Sequence, residues 1–157
     1  MFRLFGKKEN KAFIVSPADG TAIDISKVND PVFSQKVMGD GIAIELTDDK
    51  AVICAPADGT LSVLFPTGHA FGITTDSGIE LLVHIGINTV EAEGNGFRVL
   101  AFAQGDTVKA GDPIVEVNVN TLKEKYDMTT MLIVTNPNGQ EILFRKYGSV
   151  KKGDNLI

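Results

Sequence analysis

Pro56-Ala57-Asp58-Gly59-Thr60 repeats the pentapeptide Pro17-Ala18-Asp19-Gly20-Thr21. Each copy follows an apolar run and precedes another. Asp-Gly between two such runs is a turn signal, because glycine supplies the positive φ of a tight reversal. A second motif is also doubled, as Val108-Lys109-Ala110-Gly111-Asp112 and Val150-Lys151-Lys152-Gly153-Asp154. Two copies are too few for a solenoid. They suit two similar β motifs interleaved into one sandwich.

Working outward, β-branched clusters alternate with turn signals at short spacing, the pattern of an all-β domain. Strands are predicted at 12–15, 20–25, 41–46, 51–55, 59–65, 70–75, 79–85, 98–101, 113–117, 131–134 and 142–144. One or two short helices accompany them. Asp30-Pro31 supplies an N-cap and a first-turn proline for a helix that Gly39 closes. Asn120–Tyr126 predicts a further turn or two. The fold class read here is therefore an all-β sandwich, of barrel-sandwich hybrid form, built from a duplicated motif. Residues 12–157 form one domain. Residues 1–11, which mix Phe2, Leu4 and Phe5 with Arg3, Lys7 and Lys8, form a flexible and amphipathic segment able to touch an anionic bilayer.

Composition narrows the function. The chain has 157 residues, enough for one self-sufficient core. Its net charge of −5 and lack of a basic stripe argue against nucleic acid. No apolar run reaches the ~20 residues of a membrane span. The single Cys54 cannot form an internal disulfide, which fits a cytoplasmic protein, and its apolar surroundings suit a core position. Contact with the membrane is at most peripheral.

The chain has two histidines, His69 and His84. His84 ends the apolar run of Gly78-Ile79-Glu80-Leu81-Leu82-Val83-His84-Ile85-Gly86-Ile87-Asn88-Thr89-Val90. On a strand it shares a face with Glu80 and Leu82, while Leu81 and Val83 share the other. The runs 70–75 and 79–85 predict a hairpin turned at Asp76-Ser77-Gly78. That hairpin brings His69 and His84 to one end of neighbouring strands. Neutral imidazole is a nucleophile near neutral pH. A second imidazole beside it can donate to phosphoryl oxygens, so the pair suits phosphoryl transfer. Thr67, two residues before His69, can fix a ring tautomer. No phosphate-binding loop or serine elbow is present. Structural zinc takes four ligands, so His69 and His84 could hold one only at an interface where a partner completes the shell. No cofactor is required. A lysine-borne carrier, suggested by the Val-Lys-x-Gly-Asp repeats, has no lysine in a convincing hairpin tip.

From Phe13 onward the chain resembles the glucose-type enzyme IIA domain of the bacterial sugar phosphotransferase system. The segment Leu81-Leu82-Val83-His84-Ile85-Gly86-Ile87 looks like that family's phosphohistidine signature. Ser16–Gly20, Gly39–Ile44, Ala55–Thr60 and His69-Ala70-Phe71 support it in the same order. The resemblance implies that His84 takes a phosphoryl group from the phosphocarrier HPr and passes it to a cysteine of a IIB domain. It implies that His69 serves onward transfer and that Thr67 orients an imidazole. It places Asp40, Phe65 and Phe71 in an apolar, acid-rimmed docking patch. Asn88 stands where the family commonly has a rim aspartate, which removes one charge. Regulatory target proteins are further partners that the resemblance implies.

Overall fold

In the computed structural model, which describes residues 13–157, the alternation of side chains builds two antiparallel sheets. The strands are β1 (Gly20–Asp24), β2 (Gly41–Leu46), β3 (Lys50–Cys54), β4 (Gly59–Leu64), β5 (Ala70–Thr74) and β6 (Glu80–Ile85). They continue as β7 (Phe97–Val99), β8 (Thr107–Val108), β9 (Pro113–Asn118), β10 (Thr130–Asn136) and β11 (Gly148–Val150). One sheet has eight strands in the order β11-β1-β2-β10-β6-β5-β4-β8, and the other three, β3-β9-β7. The amphipathic reading of residues 1–11 lies outside the described residues.

The core fills the space between the sheets. Ile42 and Ile44 of β2, Leu81, Val83 and Ile85 of β6, and Phe71 and Ile73 of β5 point inward. Ile53 of β3 and Val115 and Val117 of β9 meet them from the small sheet. The centre of the large sheet is also covered on its outer face. There Ala43, Met131 and Ile133 lie under Ile25, Val28 and Phe33. Strands buried on both faces explain why β2 and β10 read as unbroken apolar runs.

The doubled motifs bind each other. Asp58 accepts from the Ala110 amide at 2.8 Å, and Asp19 accepts from the Lys152 amide at 2.7 Å. Val15 N donates to Pro56 O, and Cys54 N donates to Pro17 O, both at 2.8 Å. Ala55 N reaches Asp112 O, and Ser16 N reaches Asp154 O, again at 2.8 Å. Each bond in one copy has its counterpart in the other, so the halves meet as an approximate twofold pair. The two glycines of the repeat have a different task from the one their sequence suggests. They begin β1 and β4 rather than forming hairpin turns, and a Cβ there would lie 2.2 Å from Glu45 O at Gly20 and from Thr74 O at Gly59. Close approach of a neighbouring strand is what excludes a side chain.

Two predicted strands are absent. At 142–144, Ile142 and Phe144 pack on the core and Leu143 is exposed, but no ladder forms. The period-2 pattern there reflects packing alone. At 13–15, only Val15 bridges, to Asn155. Two short strands went unread: β8 and β11 are the edges of the large sheet. They pair Val108 with Gly59 and Val150 with Gly20, so the Val-Lys-x-Gly-Asp motif carries an edge strand in each half. Helix α1 (Pro31–Ser34) starts as expected, with Asp30 Oδ1 accepting from Val32 N at 2.9 Å. It stops well before Gly39, because Lys36 is left-handed (φ 58°). Helix α2 (Val119–Leu122) begins one residue before the predicted 120–126 turn and is capped by Asn118. Cys54 is a buried core thiol, and burial pushes its pKa up.

Candidate functional site

The β5–β6 hairpin pairs Ala70 with His84, as the sequence predicts. Ile85 N donates to His69 O at 2.7 Å, which locks His69 beside the end of β6. The two imidazoles meet edge to face with centroids 5.3 Å apart. His84 points to the outer face of the large sheet, between its cross-strand neighbours Ala70 and Met131.

A hydrogen bond fixes the chemistry of His84. Its Nδ1 lies 2.8 Å from Gly86 O. A carbonyl only accepts, so Nδ1 carries the ring proton and Nε2 keeps a free lone pair. Gly86 holds φ at +78°, and a Cβ there would come within 2.5 Å of the Thr89 methyl and 3.0 Å of the Met128 sulfur. The glycine is needed so that the chain can fold back and present its carbonyl to the ring.

His69 is 4% exposed. Its Nδ1 lies 2.6 Å from the Thr67 hydroxyl, as the spacing of the two residues allows. Phe65, 41% exposed, packs edge-on against it with centroids 5.0 Å apart. Burial lowers the pKa of both rings. For His69 the His84 ring adds to the effect, and for His84 the Gly86 bond and Asp30 partly oppose it. Both rings are therefore neutral at neutral pH.

Of the remaining sequence-predicted site residues, Asn88 is exposed just after the hairpin, in a left-handed conformation (φ 61°) and without a side-chain cap bond. Asp40 sits elsewhere: its backbone is level with Val134, three residues along β10 from Met131. At ~3.3 Å per residue that is about 10 Å away from His84 along the strand. Its carboxylate is bound by Gly41 N at 2.8 Å and by Lys36 Nζ at 3.3 Å. Phe71 is a correction. It is 0% exposed and faces the core with Val83, so its side chain cannot belong to a docking surface. Strand alternation sends it inward while its neighbours Ala70 and Gly72 face out.

Three contributors escaped the sequence reading. Phe33, in α1, packs on His84 with centroids 5.2 Å apart. Asp30 caps the same helix and faces His84 electrostatically. The third is the Gly86 carbonyl. The cap signal at Asp30-Pro31 located α1, but nothing in one sequence says which strand a short helix covers. Exposed apolar side chains stand nearby: Phe65 against His69, Val32 beside Phe33 in α1, and Val63 opposite Gly72 of β5, the kind of surface that marks a protein-binding face. Among the described residues no third metal-binding side chain joins the two histidines. Among them too, no helix is long and apolar enough to cross a membrane.

A paired-imidazole site on the outer face of a sandwich, with the Nδ1 of one ring bound to a backbone carbonyl, defines a histidine-centred protein. The chain belongs to the EIIA 1 family of the phosphoenolpyruvate-dependent sugar phosphotransferase system, whose model matches residues 12–140. It is similar to the solved structure of glucose permease IIA from Mycoplasma capricolum, with 39% identity, a TM-score of 0.87, and coverage of 98% of this chain and 97% of that one. It is 37% identical to the PTS system glucose-specific EIIA component of Haemophilus influenzae, over 99% of this chain and 94% of that protein. It is 43% identical to part of the PTS system glucose-specific EIICBA component of Staphylococcus carnosus, over 92% of this chain. The chain spans about a fifth (21%) of that relative's length.

Proposed function

We propose that the protein is a phosphoryl carrier in sugar uptake, loaded on His84 Nε2 by phospho-HPr and unloaded onto a cysteine of a IIB domain. The observation that carries this reading is the Nδ1–Gly86 O bond, which leaves Nε2 unprotonated on an accessible face. In the first step the Nε2 lone pair attacks phosphorus, and the bond to the donor breaks with its electrons staying on the donor. In the second, a thiolate of the IIB domain attacks phosphorus and the electron pair of the P–N bond returns to Nε2. We assign the Thr67 hydroxyl as donor to His69 Nδ1, so that the His69 proton lies on Nε2, where it can donate to the phosphoryl oxygens. Exposed Phe65, Val32 and Val63 form the apolar contact for both partners, with Asn88 at the rim. The similarity to EIIA components and to the EIICBA chain supports the assignment of these partners. We place this cycle in the cytoplasm, where HPr and a IIB domain would meet the protein. Regulatory partners would use the same face, and a zinc ion would bind His69 and His84 only where such a partner supplied the missing ligands.

Incubation with phosphoenolpyruvate, enzyme I and HPr tests the reading. The expected product is one acid-labile adduct of ~80 Da carrying roughly two added negative charges. Its absence, with HPr itself phosphorylated, would sink the carrier reading.

The pH dependence follows from burial. Both histidines have folded pKa values below 6.5. Loading of His84 is expected to stay level from pH 8 to about 6.5 and to fall only below that. The linked stability has the same sign. Above ~6.5 both folded and unfolded rings are neutral. Below it the unfolded chain takes up protons that the folded rings refuse, so stability declines as pH falls toward the folded values. Ring titrations by NMR would check this, and a His84 midpoint above 6.5 would contradict it.

A further inference from the structure

The ring of His84 sits in a slot with four sides. Ala70 and Met131, its cross-strand neighbours, form the two lower walls. His69 and Phe33 also pack against the ring, at 5.3 and 5.2 Å between centroids. Phe33 is 6% exposed and belongs to the outer-face cluster with Ile25, Val28 and Met131. It therefore offers little area to a docking partner and is held by packing.

We propose that Phe33 is a positioning residue for phosphoryl transfer: it closes the slot that keeps the His84 Nδ1–H on Gly86 O and aims Nε2 outward. This deepens the carrier reading and rests on it. One neutral hydrogen bond contributes little net stability, because water competes for both partners. The 2.8 Å bond to Gly86 alone would let the ring swing into solvent and trade its tautomer. An aromatic ring packed against the imidazole opposes that alternative. Phe33 reaches the ring because Asp30 starts α1 there, through Asp30 Oδ1 to Val32 N and Asp30 O to Phe33 N at 3.1 Å. The short helix thus acts as a bracket for one side chain. The charged or titratable groups that face His84 are Asp30 and His69. Neither is removed when Phe33 is changed.

The experiment compares wild type, Phe33→Leu and Phe33→Ala by ring nitrogen NMR at pH 7.5 and by loading kinetics with phospho-HPr. Wild type is expected to show a protonated Nδ1 and an unprotonated Nε2. In Phe33→Ala both nitrogens are expected to move toward the averaged values of a solvated imidazole. The kcat of loading falls roughly tenfold, as for a misplaced reacting group, while KM for the donor stays within about twofold. Phe33→Leu shifts less in the same direction, and it carries the test if thermal melting shows Phe33→Ala to be unfolded. Unchanged nitrogen signals in a folded variant overturn the proposal. So does a raised KM with kcat intact, which would make Phe33 a docking residue. If wild type takes no phosphate, the carrier reading fails while the ring signals still decide the role of Phe33.

Discussion

His84→Gln is expected to abolish phosphoryl loading, with no ~80 Da adduct at any donor concentration. Glutamine approximates the size of imidazole and can still reach Gly86 O through its amide. It has no basic nitrogen lone pair, because the amide nitrogen is conjugated with its carbonyl. The variant should keep its fold, since the outer face needs only a polar group of this size beside Ala70 and Met131. His69 offers no second acceptor. It is 4% exposed, and its Nδ1 is taken by Thr67. Intact mass and site mapping decide the matter. An adduct that persists in His84→Gln, on His69 or elsewhere, would contradict the assignment of the nucleophile.

His69→Gln should separate the two half-reactions. Loading depends on the His84 lone pair, whose tautomer the Gly86 bond sets, and a glutamine at 69 still fills the space beside the ring. Onward transfer needs charge stabilised on the phosphoryl oxygens by a donor already in place. The His69 ring is held by the Thr67 hydroxyl at 2.6 Å and by Phe65 at its edge. A glutamine is anchored by neither contact in the same way, and it must be ordered at each turnover. Loss of one such fixed donor costs roughly 10²- to 10³-fold in rate. The expected result is a variant that loads normally and donates to a IIB cysteine slower by that factor. Rapid-quench measurement of both steps would test it. Equal slowing of the two steps would reduce His69 to a structural neighbour of His84.

The parts of this site that were legible in the sequence are local ones. The hairpin, the histidine pair and the Thr67–His69 spacing all come from residues close together in the chain. The hydrophobic alternation of 79–85 fixes which side of the sheet His84 faces. The site elements that were not legible come from afar or from the backbone. Phe33 reaches His84 across the sheet from a helix some fifty positions upstream. The Gly86 carbonyl is a main-chain atom, and no residue type announces it. The family resemblance puts Phe71 in the docking patch, yet strand alternation buries it. The same distinction explains the fold. Period-2 patterns located the central strands. At 142–144 the same pattern marked packing without pairing, and the two-residue strand β8 is too short to leave any pattern.

The paired bonds between the two halves bear on when this molecule can finish folding. Asp19, near the start of the first half, is satisfied by the amide of Lys152, 133 residues later. β1 finds one of its two neighbours in β11. Contacts of such separation are made late, because a long loop must close before they form. During synthesis the first half emerges with its closing partners still in the ribosome. It must wait, incomplete, with an open strand edge, a state in which chains are prone to aggregate. The His84 slot faces a different constraint. The β5–β6 hairpin is local and can form early, but β10 must arrive before Met131 closes its wall. A working site therefore reports that most of the chain has already been made and packed.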